Sequence, residues 1–181
     1  MGPSQQTVML RPATLDDVPL LQAWDREPHV IACSTDDPTA TTAFDGSDWA
    51  EEIAGASDVS YHLIAEVDGR PIGAMQIIDP LAEPTHYWGE VEPNLRALDI
   101  WIVEKDALGR GYGTAMMTEV IDNAFADPST VAIIIDPLNS NTDAHRFYQR
   151  LGFRIVGRRT FDGDDCLVHR LDRAVWQERT R

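Results

Sequence analysis

One run, LDIWIVEKDALGRGYGTAMMTEV over residues 98–120, constrains the fold more than any other: an alternating strand breaks into a glycine-punctuated loop that opens straight into an amphipathic helix. Gly109, Gly111 and Gly113 remove side chains where the backbone has to come close to a neighbour, and the first N–H groups of the helix have no partner within it. Loop and helix start together offer donors and the positive end of a dipole, an arrangement suited to phosphate. Glycine at alternate positions also suits an ordinary tight turn. The loop lacks the Gly-Lys-Ser/Thr ending of a nucleoside-triphosphate loop, and no acidic residue follows a second strand as a dinucleotide fold requires.

Strand and helix signals alternate along the chain, with no repeat and no low-complexity linker. Residues 8–11 read as a strand, and Thr14 with Asp17 three residues on reads as an N-cap opening a helix through Leu20, Leu21 and Trp24. Residues 34–46, rich in Ser, Thr, Asp, Pro and Gly, read as a mobile loop before a second helix that starts near Ser47. Residues 61–67 and 72–78 form a hairpin about Asp68-Gly69, and residues 80–93, with three prolines, form an exposed loop or edge strand. A central strand over 95–103, a helix over 114–125, a strand over 131–135 and a short helix stopping at Gly152 follow. Two last strands, 154–160 and 166–171, flank a turn at Asp162-Gly163. The expected order β, α, α, β, β, β, α, β, α, β, β gives an α/β fold, a mixed and mostly antiparallel central sheet flanked by helices. At 181 residues the whole of 1–181 is expected to be one domain, with 1–7 a flexible N-terminal segment.

The net charge of −15 argues against a nucleic-acid surface. Its distribution says more: between Arg26 and Arg96 only Arg70 is basic against fourteen acidic residues, whereas from Arg96 onward twelve basic residues nearly balance thirteen acidic ones. A solvated acidic surface explains such a half. Cys33 and Cys166 lack the spacing of a metal or redox motif and read as free thiols, and the scattered histidines form no helical zinc pair, so no metal is expected. No apolar run approaches the ~20 residues of a membrane span. With neither a basic region nor an apolar core in MGPSQQTV, the expectation is a cytoplasmic protein without a membrane partner.

Within the central strand, Leu98, Ile100 and Ile102 point one way and Ala97, Asp99, Trp101 and Val103 the other. Asp99 interrupts an apolar segment, where a carboxylate is costly unless it is hydrogen-bonded, paired or in a wet cleft. It is either tied to a neighbouring loop or functional. Further on, a buried strand ends at Asp136-Pro137, a polar loop supplies Asn139, Ser140 and Asn141, and the helix that follows carries Tyr148 and stops at Gly152-Phe153.

These two runs together resemble the GNAT superfamily of N-acetyltransferases, and the likeness covers most of the chain. The resemblance implies that LGRGYG binds the pyrophosphate of acetyl-coenzyme A, with Gly109, Arg110, Gly111, Tyr112, Gly113, Thr114 and Asn141 on the coenzyme side. It also implies that Tyr148, in Tyr148-Gln149-Arg150-Leu151-Gly152-Phe153, lies near the thioester sulfur as general acid, with the oxyanion held by backbone N–H groups about Ile102 and Val103. Leu108 departs from the Arg or Gln usual in the family at that place. Arg110, Arg146 and Arg150 lie beside these segments, available to phosphates or simply solvated. More specifically, the chain is similar to aminoglycoside 6'-N-acetyltransferases in Tyr87-Trp88, Arg96 with Asp99, LGRGYG, Asp136-Pro137 and Tyr148. That similarity implies that Asp99 engages the reacting amine as catalytic base, directly or through water, and that Tyr87, Trp88, Glu90, Glu92 and Asp136 contact the rest of a polycationic substrate. The acidic-aromatic loop and the N-terminal helical region match least. Direct acetyl transfer in a ternary complex is expected, because no Cys or Ser lies in the motifs as an acyl carrier. The alternatives are acetylation of another amine (a polyamine, a lysine-derived siderophore intermediate or a protein N-terminus) and a non-catalytic acyl-coenzyme A module. Monomer and homodimer are both compatible with the sequence.

Overall fold

The computed structural model describes residues 7–44 and 46–180, so the expected flexible segment lies, but for Thr7, outside the described residues. Among these residues seven strands form one sheet: β1 (Val8–Pro12), β2 (Ser60–Val67), β3 (Arg70–Ile78), β4 (Leu95–Ile102), β5 (Ala132–Ile135), β6 (Arg154–Phe161) and β7 (Asp164–Asp172). They lie in the order β1-β2-β3-β4-β5-β7-β6, and every neighbouring pair is antiparallel except β4 and β5. The two hairpin turns are as the sequence predicts. Asp68-Gly69 and Asp162-Gly163 all have positive φ, the left-handed pairing that short Asp-Gly turns supply.

Among the described residues six helices cover the sheet: α1 (Val18–Trp24), α2 (Pro28–Ser34), α3 (Trp49–Ala54), α4 (Tyr112–Ala126), α5 (Thr142–Leu151) and α6 (Arg173–Arg179). Two of them, α2 and α6, are absent from the expected order. The helix expected from Thr14 is split into a 3-10 turn, Leu15–Asp17, followed by α1, whose first turn accommodates Pro19. Thr14 N–H donates to Asp17 Oδ2 at 2.8 Å as the capping motif requires. Inward residues of α4 and α5 (Met116, Met117, Ile121, Tyr148, Leu151) pack on Met75, Leu98 and Ile133 at one face of the sheet. On the other face Leu21, Trp24, Val30, Trp49 and Ile53 from α1, α2 and α3 cover Ile64 and Ala74, while Trp88 and Phe161 cover Ala97 and Ile134.

The feature that makes a site is the opening between the two parallel strands. Only Leu95, Arg96 and Ala97 pair with Ala132, Ile133 and Ile134. β5 ends at Ile135, and beyond it the chain stays with β7 instead: Leu167 N–H donates to Pro137 O at 3.0 Å and Asn139 N–H to Asp165 O at 2.7 Å. From Leu98 to Ile102, β4 keeps its β3 partner and has none in β5. The sheet is therefore splayed at its middle.

Candidate active site

Because β4 alternates, Asp99 lies on the face bounded by α1, α2, α3 and the Trp88 loop, whereas Tyr148 projects from α5, which packs on the opposite face. Both nevertheless line one cavity of about 1580 Å³, together with Asp136, Tyr87 and Asn141. The splay is what lets a residue from each side of the sheet meet.

Electrostatics at the meeting point are unusual. Burial pushes the Asp99 carboxyl above the ordinary carboxylate range, and burial followed by the Asp99 charge does the same to Asp136. Tyr87 Oη–H donates to Asp136 Oδ2 at 2.7 Å, which partly offsets that rise. Tyr148, 6% exposed, is held protonated well above neutral pH by burial, then by the Asp99 and Asp136 charges. The site thus holds two carboxylates reluctant to ionise and a phenol that keeps its proton, the pairing that lets one group accept a proton and another donate one.

The glycine loop lies by the end of β4. Gly109 and Gly111 have φ +71° and +85°, and a Cβ on either would meet nothing within 4 Å, so these two glycines give backbone shape and an open approach. Gly113 does a different job: a Cβ there would touch Ile102 Cδ1 and Phe147 Cζ at 3.4 Å, so it lets α4 pack closely against β4 and α5. Gly111 caps α4, whose first N–H groups face out beside exposed Arg110 and Thr114. Tyr112 is buried in the core, so its side chain does not lie on the exposed face of the loop. An exposed loop of two left-handed glycines ahead of a fifteen-residue helix fits the pyrophosphate of coenzyme A.

Several expected residues stand elsewhere. Val103 N–H is taken by Ile72 O at 2.9 Å, so it is no oxyanion donor; alternation along the strand turns the Ile102 N–H the other way, toward the splay. Trp88 is a core residue at 4% exposure, packed against Phe161 at 5.2 Å, so it supports the cavity wall from within and Tyr87 is the exposed aromatic of the pair. Glu90 is exposed outside the cavity lining, and Glu92 is ion-paired with Arg170. Arg96 points to Asp79 and Asp127 at 3.6 and 3.9 Å, away from the site. Arg146 pairs with Asp143 at 3.3 Å on the open surface. Asn141 caps α5, its side chain accepting from Ala144 N–H at 3.1 Å.

The loop expected to be mobile is pinned at both ends. Asp36 N–H and Thr35 Oγ–H donate to Asp164 Oδ1 at 2.7 and 2.8 Å, and Ala43 and Phe44 N–H both donate to Asp25 Oδ1 at 2.9 Å. It forms a cavity wall. The sequence reading also missed Glu83, a 7%-exposed carboxylate in the cavity wall, and the convergence of both thiols there. Burial raises the Cys33 thiol and pushes Cys166 up to about 12, so both stay protonated and are weak nucleophiles. Among the described residues no three His, Cys, Asp or Glu side chains converge as a metal-ligand set, and no helix is long and apolar enough to cross a membrane.

Comparison with known proteins bears on the family and the fold. The aminoglycoside N(6')-acetyltransferase type 1 of Klebsiella pneumoniae is 28% identical over 179 residues, covering 98% of this chain and 89% of that protein. A lysine N-acyltransferase of Mycolicibacterium paratuberculosis is 26% identical over 174 residues, covering 90% of this chain and 72% of that one. The crystal structure of the aminoglycoside acetyltransferase AAC(6')-Ib in complex with coenzyme A and kanamycin superposes with a TM-score of 0.80 at 26% identity, over 97% of this chain and 100% of that chain. The family model for the acetyltransferase (GNAT) domain matches residues 13–161, and with the splayed seven-stranded sheet this makes the chain an N-acetyltransferase of the GNAT family.

Proposed function

We propose that this enzyme transfers acetyl from acetyl-coenzyme A to a primary amine of a polycationic small molecule, the 6'-amino group of an aminoglycoside being the favoured acceptor, by direct transfer in a ternary complex. The observation that carries the reading is the shared cavity of Asp99, Asp136 and Tyr148 at the splay. Acetyl-coenzyme A supplies an activated acyl carbon on a thiol leaving group. The chain's own residues do the rest. Gly109, Gly111 and the N-terminus of α4 hold the pyrophosphate, with Arg110 and Thr114 beside them. Asp99 binds the incoming ammonium and takes its proton, freeing a lone pair for attack. As the C–N bond forms, Ile102 N–H stabilises the charge on the acyl oxygen. As the C–S bond breaks, Tyr148 gives its proton to the departing sulfur, and the newly bonded nitrogen sheds its remaining extra proton to solvent, which reprotonates Tyr148. Asp136 holds a second ammonium of the acceptor, and the acidic N-terminal half draws such a cation in.

A second reading, acylation of a lysine-type amine, is favoured by the 26% identity to the lysine N-acyltransferase. One experiment separates the two: thiol release from acetyl-coenzyme A with kanamycin, gentamicin, spermidine, free lysine and a lysine peptide. Turnover with kanamycin at least tenfold above that with lysine supports the first reading. The reverse order supports the second, and no thiol release with any amine returns the chain to a binding module.

A further inference from the structure

We propose that Glu83 and Tyr87 form a positioning chain that fixes the orientation and charge with which Asp136 meets an amine. The proposal rests on reading Asp136 as an ammonium-binding carboxylate. Glu83 is buried, and a carboxylate in that position is costly unless its oxygens are satisfied. Both are: Oε2 accepts from Thr85 N–H at 2.8 Å and from Thr85 Oγ–H at 2.6 Å, and Oε1 accepts from Tyr87 N–H at 2.5 Å. These bonds clamp a turn in which His86, with φ +53°, is held in the left-handed region between the two anchored residues. The clamp delivers the Tyr87 ring flat onto Phe161, at 4.7 Å and 13°, and edge-on to Trp88 at 5.7 Å. Arg159 locks the same cluster from the other side, with its guanidinium 4.8 Å from the Phe161 ring and Nη1 donating to Trp88 O at 2.9 Å. A ring so held sends its hydroxyl to Asp136 Oδ2.

Asp136 is faced from every side by groups that set its charge. Burial, and then Asp99 on β4, oppose ionisation, while the Tyr87 hydroxyl, the backbone N–H of Asp136 itself and the Arg159 charge on β6 favour it. The Cys166 thiol on β7 and the Tyr148 phenol on α5 both keep their protons beside it. Tyr87 therefore supplies the side-chain hydrogen bond that favours the Asp136 anion against burial and the Asp99 charge, and only an anion holds an ammonium strongly. Glu83 acts one step back, through the backbone of Tyr87.

The test uses the full chain and whichever amine the parent acetylates, with kcat/KM followed from about pH 5 to about pH 9. Tyr87→Phe keeps the ring and its stacking but removes the donor. It should move the acid limb to higher pH and raise the amine KM about tenfold at neutral pH, with kcat within about twofold. In an Asp136→Asn background the same change should have no further effect, since the charge it protects is gone. Glu83→Gln should move the limb the same way by less. Should Glu83→Gln fail to fold, the Tyr87 and Asp136 variants still decide. An unmoved acid limb in Tyr87→Phe, or additive losses in the double variant, overturns the proposal. If the parent acetylates no amine, the proposed function fails; isotope-edited infrared titration of the Asp136 carboxyl then tests the chain alone, and equal titration in parent and Tyr87→Phe overturns it.

Discussion

Asp99 and Gln76 are direct partners across β4 and β3, and His62 stands directly opposite Gln76 on β2, so three polar side chains form a row across the sheet face that floors the cavity. Gln76 Nε2–H donates to Ser60 Oγ at 3.0 Å, which leaves its carbonyl oxygen for the cleft. The row lies between two apolar clusters, one with Trp49 and Ile64, the other with Trp88 and Ala97. A strip of polar groups across an otherwise apolar sheet face destabilises the fold unless something else is gained, and under the proposed function the gain is a proton acceptor at the splay.

Asp99→Asn should separate catalysis from stability. Removing the proton acceptor should lower kcat by about 10²-fold to 10⁴-fold, whereas Asp136→Asn should act mainly on the amine KM. The Asp99 carboxyl is raised above its ordinary 3.8 by burial, so its ionisation disfavours the fold; that penalty is fully present above the raised value and gone below 3.8. Asp99→Asn should therefore melt higher than the parent in mildly alkaline buffer, and the difference should close as pH falls. Parent-like turnover in steady-state kinetics would make Asp99 a structural residue.

His62 gives the opposite slope. It is 5% exposed, and burial lowers its pKa from 6.5 to about 4, so the folded state prefers the neutral ring. Its contribution is fully present above 6.5 and is lost as pH falls toward 4, roughly 3 kcal/mol across that window. His62→Phe keeps an aromatic edge against Trp49, whose ring lies 5.4 Å away, and removes the titration. Urea melts of the two proteins at several pH values should converge on the same steepness above neutral pH and diverge below it, the parent losing stability faster. Parallel pH dependences would show that His62 stays charged or solvated.

Tyr148→Phe should lower kcat by roughly 10²-fold to 10⁴-fold with little change in amine KM, because the phenol acts on the leaving sulfur and not on the amine. Its ring packs on His169 at 5.8 Å and on Phe153 at 5.8 Å, contacts that phenylalanine retains, so the melting temperature should barely move. Stopped-flow thiol release measures the step directly. An unchanged rate would return Tyr148 to a packing role.

What could be seen in the sequence was whatever rests on local chemistry. The Asp-Gly turns, the Gly152 stop with φ +102° and the alternation that sets Asp99 on the cavity face follow from a few adjacent residues. Helices α2 and α6 could not be seen, because each starts without a side-chain cap and is held by a distant anchor: Val30 in the α1 cluster, and Trp176, whose Nε1–H donates to Asp122 Oδ1 at 2.7 Å. The site shows the same division. Glu92 matched an expected acidic position, yet Arg170, seventy-eight residues on, takes its charge. Val103 lost its N–H to β3 through a register that no periodicity specifies. Glu83 carried one signal, an acid two residues before a threonine in a proline-rich stretch, which reads equally as a turn residue.

The glycine loop separates shape from approach. Gly111 at φ +85° needs the left-handed region, which asparagine tolerates and valine does not. If shape alone matters, Gly111→Asn should keep acetyl-coenzyme A affinity near the parent's and Gly111→Val should lose it; if the phosphate comes within contact of Cα, both should bind at least tenfold more weakly. Gly113→Val acts otherwise, since its methyls would press on Ile102 and Phe147 and shift α4 from β4, so it should also lower the melting temperature. Calorimetric titration with acetyl-coenzyme A, run beside thermal melts, distinguishes the three. Unchanged affinity in Gly111→Val and Gly113→Val would remove the loop from the coenzyme site.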